Sequence, residues 1–130
     1  MKGAAQGESG MNRLLLLIAV SFFSTSVGAA ESYIDNLQIT QIIIDNNRYS
    51  GCMVKVSPEL PASTNCGRLD FVSLDCDGEY GTKAKAQSML EMAQLAFLTD
   101  KSVRLRVDDD YPIINGTNSF CTANYIRLDK

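Results

Sequence analysis

The residues able to do chemistry in this 130-residue chain are carboxylates, cysteines and arginines. Histidine is absent, which excludes Ser-His-Asp and Cys-His catalysis and any imidazole-ligated zinc site. Two acidic clusters stand out. Asp108, Asp109 and Asp110 are consecutive, and Asp75, Asp77 and Glu79 alternate ahead of an apolar stretch. Hard oxygen ligands in a flexible turn can bind calcium. Consecutive residues of an extended segment point in different directions, however, and no glycine-spaced ligand pattern follows. The triplet therefore reads as a solvated strand end, and no metal site is expected. The second cluster reads as turn residues whose charge suits the N-terminus of a following helix. A carboxylate pair drawn from these clusters could hydrolyse a glycoside, but so small a chain leaves little room for a cleft. No catalytic residue and no cofactor are assigned. Arg104 and Arg106 share a strand face; they are expected to pair with Asp70 or Asp75, or else to bind an anionic partner. Asn115-Gly116-Thr117 matches a glycosylation sequon but reads first as a turn.

The compartment follows from the first thirty residues and the cysteines. Residues 14–20 read LLLLIAV, preceded by Arg13 and followed by the small residues Gly28, Ala29 and Ala30. A positive start, a short apolar run and a small-residue cleavage site describe a secretory signal peptide. The run falls short of the ~20 apolar residues that span a membrane. Val27 and Ala29 suit a cleavage after Ala29 or Ala30, and Met11 can serve as the true start. Residues 1–30 are thus read as extension and signal peptide, and 31–130 as one domain, secreted or periplasmic. The whole chain carries −3 from 12 basic and 15 acidic residues. Lys2, Arg13 and Glu8 fall in the leader, which leaves 10 basic, 14 acidic and −4. That balance opposes nucleic-acid binding, which needs a basic face.

The elements that must position these residues come from periodicity. Residues 33–45 are rich in isoleucine and threonine and read as a strand, half-buried at first and then buried on both faces. Residues 45–51 form a turn, 52–57 a second strand, 58–65 a proline-marked loop and 67–76 a third strand. From 83 to 98 the period changes. Ala86, Met89, Leu90, Ala93, Ala96 and Phe97 recur at helical spacing, with Thr82 as N-cap. Met92 and Leu95 widen the apolar surface, so the helix either plugs a barrel end or meets a partner subunit through them. Residues 103–107 form a fourth strand, 108–120 a long acidic turn and 121–128 a fifth strand. The order β-β-β-α-β-β is that of the OB-fold, a five-stranded barrel of mostly β structure with one helix.

An even cysteine count behind a signal peptide implies two disulfides. The spacing C-x13-C-x9-C-x44-C holds no CxxC knuckle, which argues against zinc. Antiparallel second and third strands put Cys52 beside Cys76. Parallel third and fifth strands put Cys66 beside Cys121. Those two bonds are expected, with Cys52–Cys66 as the rival pairing.

Three segments carry a resemblance: Gln38–Gln41 (QITQ), Tyr49–Cys52 (YSGC), and AQLAFLTDKSVRL over 93–105. With these the chain resembles the B subunits of subtilase cytotoxin and typhoid toxin over roughly residues 33–128. It is also similar to small secreted proteins of marine bacteria ending in V-x-x-x-V-D-D (from Val103) and C-x-A (Cys121 to Ala123). The toxin resemblance implies a disulfide-bonded OB-type barrel, with Cys52 and Cys76 matching the family's bond. It further implies a homo-oligomeric ring, glycan recognition and a toxic partner subunit. In glycan-binding members a first-strand serine holds sialic acid. Here that stretch is Ile34-Asp35-Asn36, and Asp35 would repel a sugar carboxylate. Asp35, Asn36, Arg104 and Arg106 are therefore the candidate ligand residues for a neutral glycan or a protein surface. The expected function is a secreted, non-catalytic binding module. The alternative is a monomeric periplasmic accessory or inhibitor protein without glycan binding.

Overall fold

A computed structural model describes residues 32–130; the expected leader lies outside the described residues. Isoleucine-rich β1 (Ser32–Asp45) is long enough to serve two neighbours. Its second half pairs antiparallel with β2 (Gly51–Ser57), and its first half pairs antiparallel with β4 (Val103–Asn115). β3 (Arg68–Ser73) runs antiparallel to β2 and parallel to β5 (Asn118–Leu128), and β5 returns antiparallel along β4. The sheet closes as β1-β2-β3-β5-β4, the OB-type barrel expected from the element order.

Inside the barrel, alternate residues of every strand meet. Leu37, Val54, Val72, Val103 and Leu105 are shut off from solvent altogether. Helix α1 (Lys83–Thr99) closes one end, with Leu90, Ala93 and Ala96 packed on the same cluster. Its alanines let the backbone approach the strands, and Thr82 Oγ1 accepts from Lys85 N at 3.2 Å, capping it as expected. The expected core face holds at Ala86, Met89, Leu90, Ala93 and Ala96 but not at Phe97, which is 47% exposed. Position 97 lies in the last turn, where Ala96 takes the core-facing place. No helix among the described residues is long and apolar enough to cross a membrane.

Two strand expectations need correction. β1 is not buried on both faces in its second half: Ile44 is 62% exposed. A register shift between Ile39 and Gln41 moves the inward parity from Ile39 to Ile42. The supposed turn at 108–120 is largely strand. β4 runs on to Asn115 and reverses through Gly116 and Thr117 alone, with Gly116 at φ +63. A second register shift between Asp108 and Ile113 absorbs Pro112, whose missing N–H a regular ladder would not tolerate. The extended hairpin packs on the outside of the barrel. Ile113 and Phe120 cover Met53, and the Phe120 ring stands edge-on to Tyr49 (5.4 Å) and Phe71 (6.5 Å).

Both expected disulfides are present. Cys52–Cys76 and Cys66–Cys121 have Cα separations of 5.5 and 5.4 Å, within the range such bonds span. Two disulfides fit an oxidising compartment. A glycine stands beside each. A Cβ on Gly67 would lie 2.9 Å from the Ser119 carbonyl oxygen, and one on Gly51 (φ +86) would lie 2.7 Å from Asp77 Oδ1. Glycine is required by the Ser119 backbone at position 67 and by the positive φ at position 51.

Candidate functional site

The most structured polar group in the protein is Asp75. It follows β3 in the left-handed region (φ +59) and is 4% exposed. Its Oδ1 accepts from Ser50 Oγ (2.7 Å) and Glu79 N (2.8 Å); its Oδ2 accepts from Tyr80 N (2.9 Å) and Gly81 N (2.8 Å). Burial pushes this carboxyl up. The Ser50 hydroxyl and the three backbone N–H groups outweigh burial and hold it below the ordinary value of 3.8. Asp75 thus ties the β1–β2 turn to the loop that precedes α1, and every acceptor position faces a donor.

The loop that Asp75 fixes carries Tyr80 across the barrel end. The Tyr80 hydroxyl donates to Pro112 O in the β4 bulge at 2.7 Å, and its ring lies 5.2 Å from that of Tyr111. A cavity opens on either side of this bridge. The smaller, about 220 Å³, has a buried floor of Leu74, Ala86, Met89 and Ala123. Tyr80 and Tyr111, both partly exposed, form its rim. Polar groups come from two sides: Lys85 from α1, Asp108 and Asn124 from the strands. Asn124 Oδ1 is closed off from solvent and accepts no hydrogen bond. The larger cavity, about 540 Å³, lies between the β1–β2 turn and the β4–β5 hairpin. Asn46, Asn47, Arg48, Asp77, Glu79 and Asn115 give it a polar lining.

The acidic triplet is not a solvated strand end throughout. Asp108 is 6% exposed, Asp109 is half-buried and only Asp110 is exposed. Asp108 Oδ1 accepts from Asp110 N at 2.9 Å. The bulge also overrides the alternation of a regular strand: one carboxylate oxygen from each of the three lies within 4.8 Å of the others.

The residues singled out from sequence gather elsewhere, on the outer face where β1, β4 and β5 adjoin. Asp35 Oδ1 lies 3.2 Å from Arg104 Nε and 3.9 Å from Arg127 Nη2. The pairing expected with Asp70 or Asp75 does not form. Asp70 takes a two-pronged bond from Arg68 (2.9 and 2.8 Å), and Asp75 is saturated by its loop. The Arg104 and Arg106 guanidinium carbons sit 4.8 and 5.6 Å from the Tyr33 ring centre, and Arg106 also donates to the Tyr33 hydroxyl. Asn36 occupies a left-handed position (φ +58) where the β1–β4 register shifts. None of these four residues lines the two barrel-end cavities. Met92 is half-buried, with Leu95 exposed one turn on.

The barrel-end site escaped sequence reasoning because its parts come from five separate segments. The signal that was present, tyrosines and asparagines clustered in the connections, reads equally well as turn composition. Comparison of the chain with family models, curated proteins and solved structures gives no match.

Proposed function

We propose that this protein is a secreted, non-catalytic binding module of the toxin-B-subunit type, which recognises a glycan at the barrel end. The observation that carries this reading is the polar cavity of about 540 Å³ between the β1–β2 turn and the β4–β5 hairpin. In OB-type barrels the equivalent two connections bind oligosaccharides and oligonucleotides; this step is an analogy of fold. Charge selects between the two ligand classes. The two cavities are lined by Asp75, Asp77, Glu79 and Asp108 against Arg48 and Lys85. Such a surface repels phosphates and, for the same reason, sialic acid. Amide side chains offering both donors and acceptors suit sugar hydroxyls, and the Tyr80–Tyr111 pair offers an aromatic face beside them.

No catalytic role is assigned to Asp75. A general acid or base must have an oxygen free to exchange a proton with substrate. The most buried carboxylate, Asp75, meets a donor at each position. Secretion accords with the two disulfides and with the leader read from residues 1–30.

A glycan array probed with the mature domain tests this reading. Retention of neutral saccharides is expected, weakened at least tenfold by Tyr80→Ala and by Asn115→Ala in variants that keep the wild-type circular dichroism. An array without signal would overturn it in favour of the monomeric accessory or inhibitor protein.

A further inference from the structure

We propose that the smaller cavity is a subsite for a terminal sugar bearing a free amino group, whose ammonium lies against Asp108. The inference rests on the glycan reading above and names the class of ligand. Its starting point is the contrast between two buried aspartates. Asp75 is satisfied by four donors within 2.9 Å. Asp108, just as deeply placed, accepts a single backbone N–H, and no ion pair reaches it among the described residues. A buried carboxylate is costly unless a positive charge or further donors offset its lost hydration. The neighbouring Asp109 Oδ1 is closed off from solvent and accepts no hydrogen bond, so the bulge holds a second poorly compensated carboxylate. An ammonium supplies three donors and a positive charge at once.

The rest of the cavity fits the remainder of such a sugar. At about 220 Å³ it lies below the ~300–1,000 Å³ of pockets for drug-sized ligands and has room for one ring rather than a chain. Asp109 and Asp110 add negative potential beside Asp108. The rim tyrosines offer ring faces to a cation. On the opposite wall Lys85 and the start of α1 carry positive charge, so the ammonium is directed to the strand side and the helix side is left to hydroxyl oxygens. The larger cavity, across the Tyr80–Pro112 bridge, takes the following residues of the chain.

Calorimetric titration with three β-1,4-linked tetrasaccharides separates the possibilities. They share one backbone and carry amine, acetamide or hydroxyl at C2. The amine form is expected to bind at least tenfold more tightly than the other two, and Asp108→Asn to remove that preference while keeping the Asp110 N–H bond. Tyr111→Leu, on the rim and outside the core, is expected to weaken the amine form as well. Equal affinity for all three, or no binding of the amine form, overturns the subsite. So does a preference that survives both substitutions, because general surface charge then accounts for it. If neutral saccharides bind and the amine form gains nothing, the subsite fails and the glycan reading stands. If no saccharide binds here or on the array, both fall.

Discussion

Asp75 occupies a left-handed backbone position, and its carboxylate accepts from three backbone N–H groups of the loop that follows it. Asparagine tolerates the same φ, so Asp75→Asn isolates the charge. Whichever way the substituted amide turns, its N–H₂ meets a backbone N–H, that of Glu79 on one side or those of Tyr80 and Gly81 on the other, donor against donor. A loss of about 2–3 kcal/mol is expected, read from urea denaturation at pH 7. The sign of the pH dependence follows from the lowered carboxyl. Its contribution is complete above the ordinary value near 3.8 and disappears as pH falls through the folded-state value below that. The stability gap between wild type and Asp75→Asn should therefore close as pH falls from 5 toward 2. A constant gap across that range would place the effect in the loop's shape rather than in the charge. In the sequence Asp75 is one of three alternating acids. Nothing in its neighbours distinguishes it from Asp77, because its partners Ser50, Tyr80 and Gly81 gather only in the fold.

The β4–β5 hairpin is the element whose form departs furthest from its sequence. Asp108, Asp109, Asp110 and Pro112 carry turn composition, and local preference alone ends the strand at Val107. The strand continues because Ile113 and Phe120 bury themselves over Met53, Tyr49 and Phe71, with the misfit residues collected in a bulge. The Cys66–Cys121 bond secures the base of this hairpin to the start of β3. Its ends are 55 residues apart, and closing such a loop stabilises by about 4 kcal/mol in the chain-entropy account. Replacing both cysteines with serine is expected to lower stability by about that amount in a denaturant titration. An unchanged midpoint would mean that the Gly67–Ser119 approach and the Phe120 cluster hold the hairpin unaided.

For the whole molecule, the barrel leaves one helix face uncovered. Leu95 is 47% and Leu98 80% exposed, one turn apart, with half-buried Met92 a turn before them. The barrel core already has its plug in Leu90, Ala93 and Ala96, and Leu95 and Leu98 lie outside that cluster. The toxin-B-subunit reading gives it a use as the contact between copies. Light scattering is expected to report an oligomer for the wild type. A Leu95→Asp, Leu98→Asp double variant is expected to be monomeric with unchanged circular dichroism. A wild-type monomer at high concentration would remove the ring and leave the binding site to act alone.

The sequence by itself determined the element order, the barrel class, the helix with its Thr82 cap and both disulfide pairings. Each of these follows from short-range periodicity, or from the way strand direction brings chain ends together. Tertiary structure alone decided where β4 ends, which acids are buried, and that Arg104 pairs with Asp35 instead of Asp70 or Asp75. It also decided that the cavities lie at the barrel end and not on the Asp35–Arg104 face. The physical reason is the same in each case. Side-chain alternation is written along a strand one residue at a time. A bulge, a buried carboxylate or a cavity depends on which distant segments share an end of the barrel, and closure of the sheet sets that only once all five strands are paired.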